Sequence, residues 1–125
     1  MDISEEMLME VQERAKIERI GNLEVLKVGE KSFPRIESCT FIFMAFVLHE
    51  VPEPKAYLDN VIGNLKSGGK LAIIEWERKE MPMGPPVEHR LDKGALLKTL
   101  EELNLISVKD INLGDNFYGL LARKK

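Results

Sequence analysis

The chain has 125 residues, of which 44% are hydrophobic and 31% are charged, with a formal net charge of −3. This balance predicts one globular domain over residues 1–125 and gives no reason to expect a nucleic-acid or membrane partner. The longest apolar run, residues 41–48, is too short to span a bilayer. A single cysteine and the lack of an export signal favour a reducing cytoplasm. Two distant histidines with one cysteine predict no metal site.

The first third of the chain predicts a helix followed by a strand. Ser4 is expected to cap a helix that runs to about residue 19 and stops before Gly21. The segment LEVLKV, residues 23–28, is short and β-rich and predicts a strand. Residues 29–39 are polar and read as a connection. The apolar run TFIFMAFVL, residues 40–48, then predicts a strand buried on both faces.

The remainder alternates helices and strands. A helix is expected after Pro54, with Gly68-Gly69 as its stop, followed by a buried strand at residues 70–76. The proline-rich segment 80–90 predicts a loop. Asp92 is expected to cap a third helix, and two final strands, residues 106–111 and 117–122, predict an antiparallel hairpin.

Helices alternating with strands predict an α/β fold with a mostly parallel sheet that closes with this antiparallel hairpin. Sheets of this kind bind ligands at the carboxyl ends of their strands. At that edge the sequence places Gly29-Glu30, the segment 46–50 and Glu75-Trp76, with the loop 80–90 beside them. These residues are therefore the candidates for a functional site.

Three stretches, FVLHEV, NLKSGGKLAIIEW and NFYGLLARK, give the chain a family resemblance. In this order and spacing they resemble the later part of class I S-adenosylmethionine-dependent methyltransferases, closest to the type 11 or ubiquinone-biosynthesis-like group. LKSGGKL is similar to the usual Leu-Lys-Pro-Gly-Gly-x-Leu, with Ser67 in place of proline. The resemblance covers essentially the whole chain and implies a Rossmann-like methyltransferase sheet.

The resemblance implies a set of S-adenosylmethionine contacts. Asp2 matches the acid that accepts hydrogen bonds from the two ribose hydroxyls, a role suited to a carboxylate with two acceptor oxygens. A frayed, solvated terminal acid is the alternative for Asp2, and a surface carboxylate is the alternative for Glu30. The full set implied for the cofactor is Asp2, Ile3, Glu30, Phe46, Val47 and Leu48.

The acceptor side carries its own candidates. His49 is a candidate general base, although a histidine at a strand end also commonly holds a loop by a hydrogen bond. Trp76 could line the acceptor pocket or belong to ordinary packing. The loop 80–90 could be a lid or a stiff connector, and Tyr118 reads as a core aromatic of the hairpin. The residues assigned to the substrate side are Glu50, Trp76, Gly84, Pro85 and Pro86.

The chain departs from the family at its start. It has no counterpart of the first strand and the glycine-rich loop, so it resembles a fold truncated at the N-terminus, and Thr40 stands where an acid is common. The family's strand order separates residues 23–28 from residues 41–48 by the two missing strands, which at ~4.8 Å per strand spacing leaves roughly 14 Å between them. Three explanations are open: the two strands pair directly, a second copy or separate fragment fills the gap, or Met1 lies inside a longer product.

The resulting functional expectation is a methyltransferase that acts on an unidentified small molecule with S-adenosylmethionine as its cofactor. The missing glycine-rich loop leaves a second expectation: a cofactor-free interaction module, or a regulatory partner subunit, built on the same scaffold. If a second chain fills the gap, a homodimer or a partner fragment is the arrangement that completes the sheet.

Overall fold

In a computed structural model, residues 1–31 and 33–125 are described, and the chain divides into two units, Met1–Pro34 and Arg35–Lys125. Residue 32, within the predicted connection 29–39, lies outside the described residues.

The first unit is built on helix α1, Glu5–Ile17, which confirms the predicted helix. The Ser4 hydroxyl accepts a hydrogen bond from the Met7 N–H at 3.3 Å, as an N-cap should. The helix ends slightly earlier than predicted because Arg19, and not Gly21, takes the left-handed conformation, with φ of 54°. The Ile20 N–H then closes the end by donating to the Ala15 carbonyl oxygen at 2.8 Å.

The predicted strand at residues 23–28 is wrong. Its only β-pairing among the described residues is an isolated parallel bridge between Asp2 and Lys27. The backbone N–H of Asp2 donates to the Leu26 carbonyl oxygen at 3.3 Å, and the backbone carbonyl oxygen of Asp2 accepts from the Val28 N–H at 3.0 Å. A longer ladder needs an extended partner, but the chain turns at Ser4 into α1, so the pairing ends after one bridge.

The second unit begins with strand β1, Cys39–Ala45, which is shorter than the predicted strand 40–48. The strand is buried on one face only: Ile42 and Met44 are buried, whereas Phe41 and Phe43 are 55% and 57% exposed. The prediction of burial on both faces is therefore wrong, because alternate side chains point to opposite faces and only one face is covered.

Helix α2, Pro54–Gly63, leads directly into strand β2, Leu65–Trp76. Asn64 is the C-cap of α2, so Gly68-Gly69 does not stop the helix as predicted. These glycines lie instead in an irregularity of β2, where the register with β1 shifts between Cys39 and Phe41. Gly68 has φ of 77°, and a Cβ on Gly69 would come within 2.9 Å of the Lys66 carbonyl oxygen, so this bend requires glycine.

Helix α3, Lys93–Glu102, and strands β3, Leu105–Asn112, and β4, Phe117–Lys124, complete the unit. Asp92 caps α3 as predicted, by accepting from the Ala95 N–H at 2.9 Å. The sheet has the order β1-β2-β4-β3, in which β1 and β2 are parallel and the other two pairings are antiparallel. The predicted hairpin of β3 and β4 is thus confirmed.

Both helices contribute to one hydrophobic core with the strands. Its fully buried side chains include Leu58 and Val61 of α2, Leu100 of α3 and Leu71 of β2. Burial of a leucine of this kind stabilises the fold by about 2 kcal/mol. Within the described residues, no helix has both the length and the apolar content needed to cross a membrane.

Tyr118 of β4 is part of this core, as predicted. It is 1% exposed, and its hydroxyl donates to the Leu91 carbonyl oxygen at 2.8 Å. Burial raises the pKa of the Tyr118 phenol well above its ordinary value, and nearby carboxylates, Glu75 foremost, raise this pKa further. The phenol therefore stays protonated in the folded chain at pH values that ionise it in the unfolded chain.

We therefore expect the free energy of unfolding to fall as the pH rises above about 10, since unfolding then releases the Tyr118 proton. Tyr118 alone should contribute a slope of up to about 1.4 kcal/mol per pH unit. Urea denaturation of the wild type and of Tyr118→Phe at several pH values between about 9 and 11 measures the slope of the unfolding free energy against pH. The variant should show the shallower slope; equal slopes would contradict the prediction. Tyr57, whose pKa burial also raises, contributes equally to both proteins.

Candidate functional site

The carboxyl end of β1 is a sharp turn at Phe46. Phe46 has φ of 58°, in the left-handed region, where a bulky side chain is strained by about 1–2 kcal/mol. Its N–H still donates to the Ile74 carbonyl oxygen at 2.9 Å, so the turn starts from the last rung of the β1–β2 ladder. A single 3-10 turn, Leu48–Glu50, follows. This strained turn ends the strand earlier than the sequence predicts and lies where α/β sheets bind ligands.

His49 is anchored to Glu75 on the neighbouring strand β2. The imidazole Nδ1 lies 2.9 Å from Glu75 Oε2, and the His49 backbone N–H donates to Oε1 at 3.2 Å. The His49 side chain is 9% exposed and that of Glu75 is 1% exposed. Because a carboxylate only accepts, Nδ1 donates to Glu75 in this pair, and in a neutral imidazole Nε2 is then the nitrogen that carries the lone pair. The loop-holding hydrogen bond is therefore present, while Nε2 remains able to accept a proton.

Glu75 was expected at this edge of the sheet but was assigned no role in the site, although the sequence carries a signal for one. The strand segment LAIIEW, which follows Lys70, contains Glu75 as its single charged residue. An acid within a buried strand needs a hydrogen-bonding partner, because an unpaired buried carboxylate is costly. The acid in a buried strand was the signal for a polar contact. The sequence does not identify His49 as the hydrogen-bonding partner of Glu75, because the two residues are 26 positions apart.

Trp76 points to the opposite face of the sheet from its neighbour Glu75, as successive strand residues do. It packs with Phe46 and Phe117 in an aromatic cluster whose ring centroids lie 4.8–5.5 Å apart in tilted or edge-on contacts. Rings this close leave no space for a ligand between them. Trp76 is therefore held by packing, and the 37% of Phe46 that remains exposed is the outer part of the cluster.

The segment from Glu77 to Arg90, here called the clamped loop, is folded around Arg90. This side chain is 3% exposed and donates to four backbone carbonyl oxygens of the loop at 2.8–3.3 Å, those of Glu77, Lys79, Met83 and Pro85. The guanidinium also lies 5.3 Å from the centroid of the Trp76 ring. No sequence pattern indicates this role, since an arginine in a polar loop is ordinarily exposed.

Gly84 brings the clamped loop against Trp76. Its φ is 84°, and a Cβ at this position would come within 2.8–2.9 Å of three Trp76 ring carbons. Both the backbone conformation and the close approach therefore require glycine. Of the predicted substrate-side residues, Gly84 thus lies against Trp76, and the Pro85 carbonyl oxygen accepts from Arg90. Pro86 is an exposed residue at the start of the 3-10 turn Val87–His89.

The predicted residues around His49 have different environments. Glu50 is exposed, with its Oε1 3.9 Å from His49 Nε2. Val47 is half-buried, and Leu48 is fully buried, so only its backbone could touch a ligand. The side chain of Glu75, to which His49 is bonded, points to the sheet face opposite Trp76. The structure therefore separates the His49–Glu75 pair from the aromatic cluster, although both lie at the same edge of the sheet.

In the first unit, Asp2 is oriented by its own loop. Its Oδ1 accepts from the Ser4 N–H at 2.9 Å, while Oδ2 has no hydrogen-bond partner within the part of the chain that the structure describes. Ile3, beside it, is 46% exposed, and Glu30 is an exposed carboxylate in a bend. An oriented carboxylate oxygen next to an exposed apolar side chain could bind a hydroxyl-bearing ligand.

Metal chemistry gains no support from the described residues. Across positions 1–31 and 33–125, no three side chains of His, Cys, Asp or Glu converge closely enough to hold a metal ion.

Comparison with known proteins gives a consistent set of matches. Residues 1–73 match the type 11 family profile described as a methyltransferase domain. A structure of an S-adenosylmethionine-dependent methyltransferase from Aquifex aeolicus is 32% identical, with a TM-score of 0.83 over 98% of this chain and 66% of that one. A protein from Sulfolobus solfataricus described as a type 11 methyltransferase is 24% identical, with a TM-score of 0.73 over 99% and 69%. No curated protein matches the chain.

More distant structures show the fold alone. One is the N-methyltransferase NodS from Bradyrhizobium japonicum in complex with S-adenosyl-L-homocysteine, 14% identical, with a TM-score of 0.73 over 98% of this chain and 64% of that one. The chain thus spans about two thirds of the length of these structures. Together the matches confirm the predicted Rossmann-like methyltransferase fold.

Proposed function

This chain belongs to the type 11 methyltransferase domain family, and on that premise we propose that it transfers the methyl group of S-adenosylmethionine to a small-molecule acceptor. The observation that supports the proposal best is the family match across the first 73 residues, which includes the Phe46 turn and His49. S-adenosylmethionine supplies an electrophilic methyl group, so the protein has mainly to align the acceptor and, where the acceptor is protonated, to remove a proton.

The residues of the first unit fit the ribose and adenine of such a cofactor. Asp2 Oδ1 is occupied by the Ser4 N–H, which fixes the carboxylate and leaves Oδ2 to accept from a hydroxyl. Charge-assisted hydrogen bonds of this kind are among the stronger ones. Ile3 offers an exposed apolar surface for the adenine face, and Glu30 an exposed acceptor for its amino group.

The residues of the second unit fit the methyl-transfer end. Phe46 and Val47 present backbone and apolar surface at the strained turn. Next to this turn, His49 holds a fixed orientation through Nδ1, so that Nε2 can take the proton from an acceptor hydroxyl, amine or thiol. The outer surface of the clamped loop, Gly84 to Pro86, is the part that could contact the acceptor.

The proposal is tested by offering the purified chain S-adenosylmethionine with a panel of small thiols, amines, phenols and carboxylic acids, and measuring S-adenosylhomocysteine release. We expect release above a heat-denatured control with at least one acceptor class. A folded chain that releases none with any class would overturn the proposal. We place this reaction in a reducing compartment, the cytoplasm, because the single Cys39 cannot form an internal disulfide.

We also propose that the open edge of β1 pairs with a second copy of the chain. β1 is at the edge of the sheet, has no charged residue and exposes Phe41 and Phe43. The opposite edge strand, β3, carries Lys109 and Asp110, which discourage such pairing. Two neutral β1 edges can meet about a two-fold axis without like-charge contact.

Phe43→Lys should therefore convert a dimer to a monomer, because it places a charge on the β1 edge. Light scattering after size-exclusion chromatography measures the mass. Ile111→Lys, which changes an exposed residue of β3, is the matched control and should leave the dimer intact. A monomeric wild type at micromolar concentration would refute the pairing.

A further inference from the structure

We propose that Arg90 is a positioning residue that acts through Trp76 on the Phe46 turn and thereby on cofactor binding. The inference rests on the proposed function and assigns a role to a residue for which family membership gives none. Its basis is an unbroken series of contacts from Arg90 through the clamped loop and the aromatic cluster to Phe46.

The first contact is between Arg90 and the loop. A buried arginine must be compensated, and here the acceptors are four backbone carbonyl oxygens. The planar guanidinium can serve several acceptors at once, which a lysine ammonium cannot do in the same geometry. Because these carbonyls span residues 77–85, a single side chain fixes the conformation of most of the clamped loop.

The second contact is between the loop and Trp76. Gly84 lies so close to the indole that a Cβ would overlap three ring carbons, and the Arg90 guanidinium lies 5.3 Å from the ring centroid. Trp76 is thus confined by the loop as well as by Phe117, whose ring centroid is 4.8 Å away. Movement of the loop would release the indole from one side.

The third contact is between Trp76 and Phe46, with ring centroids 5.5 Å apart. Phe46 holds a left-handed conformation that a bulky residue adopts only when its surroundings enforce it. Its own backbone hydrogen bond to Ile74 fixes one side of the turn, and packing on Trp76 and Phe117 fixes the side chain. Loss of the clamp should therefore allow the Phe46 turn to relax, which disorders a segment proposed to touch the cofactor.

The experiment uses Trp76 as a reporter, because it is the only tryptophan of the chain. S-adenosylhomocysteine is titrated into the full chain and binding is followed by calorimetry and by tryptophan fluorescence, with acrylamide quenching measured in parallel. For the wild type we expect binding to change the fluorescence. For Arg90→Met we expect about a tenfold rise in Kd and a severalfold rise in acrylamide quenching, with Arg90→Lys intermediate.

Gly84→Ala perturbs the same series of contacts without touching Arg90 and should also raise both Kd and quenching. Gly114→Ala is its matched control: Gly114 has φ of 88°, so alanine is equally strained there, but its Cβ would meet nothing within 4 Å. This control should retain the wild-type Kd and quenching. If Arg90→Met fails to fold, the Kd and the quenching of Arg90→Lys and Gly84→Ala still test the inference.

A wild-type Kd in Arg90→Lys and Gly84→Ala, despite increased quenching, would overturn the inference while leaving the proposed function intact. Unchanged quenching in both variants would show that the loop does not hold Trp76 and would overturn it as well. A folded wild type that gives no calorimetric binding would overturn the proposed function and the ligand half of this inference together. In that case the acrylamide quenching of the variants alone would show whether Arg90 and the clamped loop hold Trp76 in place.

Discussion

His49→Asn should lower kcat for methyl transfer by about a hundredfold or more while leaving the fold intact. The asparagine amide can take the place of Nδ1 and donate to Glu75, which preserves the hydrogen bond that holds the loop. What it removes is Nε2, the nitrogen proposed to accept the proton. The measurement is the rate of S-adenosylhomocysteine release with an acceptor that the wild type methylates, together with the melting temperature.

Two comparisons separate catalysis from structure. His49→Ala removes both ring nitrogens and leaves Glu75 Oε2 without its imidazole partner, so it should lose stability as well as activity. His89→Asn changes the other histidine, an exposed residue of the clamped loop, and should have wild-type kcat. A wild-type kcat in His49→Asn would show that His49 serves only to hold the loop.

Asp2→Ala should weaken S-adenosylhomocysteine binding by about thirtyfold, or ~2 kcal/mol, because it removes a carboxylate proposed to accept from the ribose hydroxyls. Asp2→Asn keeps an oxygen for the Ser4 N–H but replaces Oδ2 with an NH2 group, so it removes both the charge and the free acceptor. It should give a smaller loss than Asp2→Ala, because the NH2 group can still donate to a ribose hydroxyl oxygen. Calorimetric titration of each variant measures the Kd.

Glu13→Ala is the control for charge, because Glu13 is an exposed acid of α1 in the same unit. It alters the net charge as Asp2→Ala does and should bind as the wild type does. Equal Kd values for Asp2→Ala and Glu13→Ala would contradict the proposal that Asp2 binds the ribose hydroxyls.

Much of the fold could be read from the sequence because the determinants are local. Ser4 and Asp92 are capping residues at helix starts, and each was found as an N-cap. The hairpin of β3 and β4 also follows from local alternation and a turn. Strand 23–28 failed for the opposite reason, since a strand needs a partner and local propensity does not supply one.

The site was less accessible from sequence because its contacts are distant along the chain. The motif FVLHEV directed attention to Phe46 and His49, but not to the left-handed φ that ends β1 there. Glu75 and Arg90 have their roles only after folding has buried them, one against an imidazole and the other among backbone carbonyls. Sequence patterns report burial of apolar residues far better than the partners of buried charged ones.

The most direct test of the methyltransferase assignment is calorimetric titration of the wild-type chain with S-adenosylhomocysteine, with its oligomeric state determined on the same sample. We predict micromolar binding at one site per chain. A cooperatively folded sample that gives no binding heat at several temperatures would contradict cofactor binding by this chain. That result would favour a cofactor-free interaction module built on the methyltransferase scaffold.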